Sequence, residues 1–185
     1  MKKLLSVYIL SLIAISNVMA ADEVKYTMVS KNKLYEIRMY SDRLVIETET
    51  SSQNSGFRKL FKYISGDNKD KKQIKMTTPV TQIEKNGNMI MQFYVPAEFN
   101  EGNIPDPNNL EVKVLNIKGG YYAAITYSGR ASDNNYVKYK DILKNQLKKD
   151  KISIISKPIR ATYNSPFTLP MLRRNEVMFK IETNT

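Results

Sequence analysis

The chain has 185 residues with 29 basic and 18 acidic side chains, a net charge of +11, and neither histidine nor cysteine anywhere. Those two absences exclude a Ser-His-Asp or Cys-His nucleophile, a histidine-ligated metal, a histidine general base and any disulfide. The length suits one domain with a sizeable core.

The first twenty residues read as a leader and not as part of the fold. Lys2 and Lys3 form a positive start, Leu4 to Ile15 an apolar run interrupted by Ser6 and Ser11, and Val18-Met19-Ala20 a small-residue cleavage site. The run is short for a membrane span of about 20 residues. Cleavage near Ala20 is expected, which leaves residues 21–185 as a single domain in the periplasm or secreted. Loss of two lysines with the leader leaves 27 basic against 18 acidic residues, a net +9. The lysines are scattered and no nucleic-acid motif accompanies them, so no nucleic-acid partner is expected. A solvated surface, weakly attracted to anionic membrane or to an anionic ligand, fits better.

Tyr35 to Tyr40 alternates and predicts a strand, and Ser41-Asp42 turns into a second from Arg43 to Thr50. Ser51 to Ser55 offers N-caps for a helix in which Phe57, Leu60, Phe61 and Ile64 share one face. Gly66 stops it. Gln73 to Ile83 returns as a strand, Asn86-Gly87 makes a hairpin turn, and Met89 to Val95 pairs back. The order then repeats: strand Leu110 to Ile117, turn Gly119-Gly120, strand Tyr121 to Tyr127, then a helix from Ser132 to Lys149 with Tyr136, Tyr139, Leu143 and Leu147 inward. Strands Ile152 to Tyr163 and Asn175 to Glu182 close the chain.

The fold class is therefore α+β: two halves of like organisation and unlike residues, with two main helices outside a twisted antiparallel sheet or distorted barrel. One apolar helix face per half covers one side of a sheet. The halves bury most by packing about a pseudo-twofold, with a cleft between them as the candidate binding site.

Two prolines, Pro166 and Pro170, make Tyr163 to Met171 an ordered loop. It carries Phe167, Leu169 and Met171, which a loop normally keeps from water. Arg173 and Arg174 follow. An apolar loop with cations at its base suits a flat apolar ligand bearing carboxylates; the other reading folds the loop onto the core. On the first helix Arg58, Phe61 and Lys62 share one flank, either an apolar plate with charged corners or an ordinary amphipathic face. Carboxylates such as Glu47 and Glu49, two apart on a strand, read as solvent groups, and nothing signals an enzyme. The methionines read first as core fillers.

Several segments occur in an order that resembles the SOUL heme-binding protein family: Tyr35-Glu36-Ile37-Arg38-Met39-Tyr40, the helix from Gly56 to Asn68, Lys75-Met76-Thr77-Thr78-Pro79-Val80 and Arg173-Arg174-Asn175-Glu176-Val177. Phe93-Tyr94-Val95-Pro96, Tyr127-Ser128-Gly129 and Tyr163-Asn164-Ser165-Pro166 also fit the pattern. The likeness spans about residues 34 to 182. It implies duplicated β-α-β-β halves, similar to effector-binding domains, and non-covalent binding of heme or a related porphyrin by a monomer. By position the implied pocket is Arg58, Phe61 and Lys62 with Phe167, Thr168, Leu169 and Met171. Without histidine, binding would rest on apolar burial and on cations near the propionates, with Tyr or Met ligation a lesser route. The competing readings are another apolar anion, lipid or envelope surface as ligand, and a hydrolase or heme-modifying enzyme using Tyr and Glu.

Overall fold

A computed structural model describes residues 22–182. The leader read over residues 1–20 lies outside them. Within the described residues, no helix is long and apolar enough to cross a membrane.

The two halves follow the expected order. The first comprises β3 (Glu36–Tyr40), β4 (Arg43–Thr50), α1 (Gln53–Ile64), β6 (Val80–Lys85) and β7 (Asn88–Tyr94). The second comprises β8 (Lys113–Ile117), β9 (Gly120–Tyr127), α2 (Asp133–Lys149), β10 (Ile159–Thr162) and β11 (Asn175–Ile181). Ahead of both run β1 (Asp22–Glu23) and β2 (Thr27–Lys31), exposed strands without a strong periodic signal. The expected strand from Gln73 to Ile83 is divided: Pro79 has no N–H to donate, so β5 (Thr77–Thr78) pairs with β1 while β6 joins the main sheet. The strand expected from Ile152 likewise begins only after Pro158.

Nine strands form one sheet in the order β2-β3-β9-β11-β10-β6-β7-β4-β8. Exchanging β3 with β8, β4 with β9, β6 with β10 and β7 with β11 reverses the order from β3 to β8 and leaves it otherwise unchanged. The duplication is thus a twofold whose axis passes through the β6–β10 seam, where Val80 faces Thr162 and Ile83 faces Ile159. Each half also lends its first strand to the other: β3 pairs with β9, and β8 with β4.

Both helices cover the same face of the sheet, one core beneath each. Ile46, Met91 and Phe93 meet Leu60, Tyr63 and Ile64 of α1. Ile125, Tyr127, Val177 and Phe179 meet Leu143 and Leu147 of α2, with Tyr136 and Tyr139 packed at the margin. The opposite face curls on itself without closing. Arg43 of β4 lies over Tyr40 and Tyr122, 4.2 and 5.0 Å from their ring centroids, although β4 and β9 are far apart in the strand order. The two equivalent turns lock this curl: Gly119 N–H donates to Asp42 Oδ1 and Lys118 Nζ to Asp42 Oδ2, each at 2.8 Å. A Cβ at Gly119 would run into the Tyr40 carbonyl, so the close approach requires glycine there. Of the two architectures expected, the twisted open sheet is the one formed; β2 and β8 remain edges.

Candidate functional site

Helix α1 is rotated from the expectation. Its buried residues are Gly56, Leu60, Tyr63 and Ile64. Phe57 and Phe61, expected in the stripe, are 39% and 47% exposed. Gly56 explains the turn: a Cβ there would lie 2.7 Å from Thr50 Cγ2, so the helix sits on the sheet at this point and presents its phenylalanines sideways. Tyr63 can enter the core because its hydroxyl donates to the Pro105 carbonyl at 2.6 Å. The two phenylalanine rings stack at 5.8 Å with an interplanar angle of 13°, and Phe57 meets Phe93 edge-on at 5.2 Å.

The cleft expected between the halves exists. It has a volume of about 730 Å³ and lies over the β6–β10 seam, on the helical face of the sheet. Val80 and Gln82 of β6, Met91 of β7, Thr162 of β10 and Asn175 of β11 form its floor. The register places all five on one face. One wall is Gln53, Asn54 and Phe57 of α1; the other is Tyr163 to Phe167 with Arg173, and Met76, Thr78 and Ala131 complete it. The volume falls within the range of about 300–1,000 Å³ usual for small-molecule sites.

The proline loop is ordered and does not fold onto the core. Thr168 N–H donates to Ser165 O at 3.0 Å, Gly129 N–H to Pro170 O at 2.9 Å, and Arg174 N–H to Asn164 Oδ1 at 2.7 Å. A 3-10 turn, Pro170–Leu172, ends it. The two arginines at its base do not point outward as cations for a ligand. Arg173 donates through Nε to Thr168 O at 2.7 Å and through Nη2 to Pro166 O, holding the loop's own carbonyls. Arg174 pairs with Glu23 and Glu176.

Of the seven residues anticipated for the pocket, Phe167 lines the cleft. Phe61 stands beside it, stacked on Phe57. Arg58 and Lys62 are exposed on α1 outside the lining, Arg58 a short step around the helix from Phe61 and Lys62 a step further round. Thr168 is half-buried, and Leu169 and Met171 are exposed outside the lining. Phe57, Met76, Val80, Gln82, Met91, Thr162 and Asn175 belong to the site although sequence reasoning placed none of them there. The alternation of β6 and β7 offered a signal, since Val80, Gln82 and Met91 share a face, but the pairing of β6 with β10 across the halves is needed to see which face.

The residues fit a flat, largely apolar guest. Phe57, Met76, Val80, Met91 and Phe167 supply apolar contact, and Gln82, 5% exposed on the floor, carries an amide nitrogen with no hydrogen-bond partner among the described residues. A phenolate ligand from Tyr163 does not fit. Its hydroxyl donates to Glu176 Oε2 at 2.7 Å on the far face, and burial together with the Glu176 charge pushes the phenol far above its ordinary value. Among the described residues no cluster of acidic side chains could hold a metal ion. The thioethers of Met76 and Met91 are the soft donors at the cleft.

With this geometry in hand the comparisons are decisive on family. The chain matches the family described as SOUL heme-binding protein over residues 21–180, and it belongs to that family. No curated protein matches it significantly in sequence. Among solved structures, the EcmrR C-terminal domain is similar with a TM-score of 0.60 at 13% identity, covering 85% of this chain and 98% of that one. A hydrolase from Listeria innocua is similar with a TM-score of 0.57 at 8% identity, covering 83% and 94%. At such identities the likeness concerns the fold alone. It confirms the α+β architecture. Heme binding is the property by which the family is described.

Proposed function

We propose that the protein is an exported, non-catalytic binder of heme or a related tetrapyrrole, which it takes into the cleft between α1 and the proline loop. The observation that carries this reading is an apolar cleft of about 730 Å³ with Phe57 of α1 and Phe167 of the proline loop both in its lining, large enough for such a ring. Phe57, with Phe61 stacked behind it, flanks one side of the macrocycle; Phe167 covers the other, while Val80, Met76 and Met91 meet its edge. Arg58 and Lys62 reach from α1 toward carboxylates at the mouth, their alkyl stems lying along the ring edge. Bound heme supplies an iron centre; the chain's part is to bind, orient and shield the ring. Thr168, Leu169 and Met171 frame the loop without touching the ring.

Burying several hundred Å² of apolar ligand surface at ~25 cal/mol per Å² contributes several kcal/mol before association entropy is subtracted. Reversible binding near the micromolar range is the consequence. A buffer or carrier needs that property, and a permanently held prosthetic group does not. The leader of residues 1–20 supports a periplasmic or secreted location.

The test is titration with hemin and, in parallel, iron-free protoporphyrin IX, followed by absorbance near the Soret band. Saturable one-to-one binding of both, with dissociation constants within about fivefold, supports recognition by the ring's face and edge. Saturable binding of neither would show that the cleft serves a different ligand, an apolar anion or a lipid.

A further inference from the structure

Four apolar side chains of the proline loop stand mostly in solvent. Phe167 is 94% exposed, Leu169 60%, Met171 74% and Leu172 68%. Isolated exposed apolar residues are ordinary, but four within six residues form a patch. Nor is the tip slack. Arg173 clamps its carbonyls from within, Pro170 O accepts from Gly129, and the 3-10 turn closes it, so the side chains are held out by a rigid frame. Three exposed cations neighbour residues of the cleft and loop along the chain: Arg58 next to Phe57 and Lys62 next to Phe61 on α1, and Arg130 between the cleft residue Ala131 and Gly129, which donates to Pro170 O. None of them takes part in the ion pairs formed among the described residues. The chain as a whole carries +11.

We infer that this tip is a membrane-docking surface, which seats the mouth of the cleft on an anionic bilayer. A protruding knob of four side chains is too small for a standard protein interface of about 800 Å² per partner. It does match the interfacial zone of a bilayer, where apolar groups enter about 5–10 Å and neighbouring Lys and Arg meet anionic headgroups. Phe167 belongs both to the tip and to the cleft lining, so a docked molecule opens its cleft toward the lipid. An apolar guest can then pass between bilayer and protein without crossing bulk water. The surface stands on exposure and charge; only this transfer role rests on the ligand reading above.

The chain has no tryptophan, so Met171→Trp introduces a single one at the tip, which can be excited apart from the tyrosines. The protein beginning at Ala21 retains both cores and is the form to use. On vesicles of phosphatidylcholine with a third phosphatidylglycerol, its emission should shift to the blue and be quenched by lipids brominated high on the acyl chain. The shift should shrink at least fivefold on pure phosphatidylcholine. In sedimentation with the same vesicles, Met171→Glu combined with Leu172→Glu should lower binding at least tenfold. Neither residue lines the cleft, so vesicle-free titration with protoporphyrin IX should be unchanged in that variant; loss of vesicle binding with retained porphyrin binding separates this inference from the ligand reading. Unshifted emission, or vesicle binding of the double variant equal to that of the parent, would overturn the inference, the second outcome assigning membrane attraction to net charge alone. A parent dimer that the double variant converts to monomer in sedimentation velocity would also overturn it, since the patch would then join two copies.

Discussion

Arg38 on β3 and Glu176 on β11, 138 residues apart, form a buried ion pair across β9: Nη1 to Oε2 at 2.7 Å and Nη2 to Oε1 at 3.0 Å. Glu176 also accepts from Tyr163 Oη at 2.7 Å, Arg174 Nη2 at 2.8 Å and Thr126 Oγ1 at 3.1 Å. One carboxylate therefore ties the first strand of the symmetric sheet, the last strand and the entry to the proline loop. Glu176→Gln would leave the buried Arg38 with Glu36 as its one remaining carboxylate and the partly exposed Arg174 with Glu23. Removing one partner of such a pair costs about 3–5 kcal/mol. Denaturant unfolding should show a loss of that size; a change below about 1 kcal/mol would mean that the network is not cohesive.

The same carboxylate makes stability depend on acid. Burial pushes Glu176 up, but Arg38, with Arg174 and Tyr163, outweighs it and holds the carboxyl below its usual range. Glu36 is also buried enough to be pushed up, and Lys31 and Arg38 bring it below its ordinary value. A depressed carboxyl stabilises the fold above its unfolded value near 4.5 and loses that contribution as pH falls through the folded value. The unfolding midpoint should therefore be flat from pH 7 to about pH 5 and drop steeply below about 4.5, and Glu176→Gln should flatten the drop.

Alkali acts through the phenols. Burial, the largest cause in each, pushes Tyr35, Tyr40, Tyr63 and Tyr136 up to about 12. A raised phenol contributes stability below its unfolded value of 10 and loses it as pH climbs through the folded value. Absorbance titration of phenolate should show these tyrosines ionising near pH 12, together with a fall in stability above pH 10.

Gly56 sets how closely α1 lies on the sheet. Alanine is the better helix former by about 1 kcal/mol, but its methyl would sit 2.7 Å from Thr50 Cγ2 and 3.4 Å from Met91 Sδ. The crowding should win, so Gly56→Ala should destabilise by about 1–3 kcal/mol. Equal or greater stability would show that α1 can lift without cost.

Much of this architecture was legible in the chain. Asn86-Gly87 marks its hairpin because both residues adopt positive φ, 52° and 82°, and Gly66 stops α1 at a φ of 109°. Leu60, Ile64, Leu143 and Leu147 identify the inward faces of both helices. The site was less legible. The stripes Phe57-Leu60-Phe61-Ile64 and Gly56-Leu60-Tyr63-Ile64 differ only by a modest rotation, and hydrophobicity favours the first. What selects the second is tertiary: a missing side chain against Thr50 and a carbonyl at Pro105 that accepts from Tyr63. The roles of Arg173 and Arg174 were hidden for a related reason. Arg173 holds backbone carbonyls of its own loop, and Arg174 joins the adjacent Glu176 to Glu23, which is brought from β1 by pairing that no local pattern encodes.

For the cleft walls, Phe57→Ala and Phe167→Ala each remove an aromatic face worth about 1–2 kcal/mol of ligand burial, or roughly tenfold in the dissociation constant. Protoporphyrin IX titration of each variant should show that weakening, while Arg58→Ala should weaken binding more at low than at high salt. Unchanged affinity in both phenylalanine variants would place the ring elsewhere.

The most direct test follows the methionine methyl groups. Met76 and Met91 line the cleft, Met178 is buried against Ala124 and Ala161 on the other face, and Met28 lies on the exposed edge strand. With ¹³C-methyl-labelled methionine, saturating diamagnetic protoporphyrin IX should move the Met76 and Met91 resonances through its ring current and leave Met178 and Met28 in place. A porphyrin that shifts Met178 or Met28 while Met76 and Met91 stay still would contradict the claim that the twofold cleft is where the macrocycle is held.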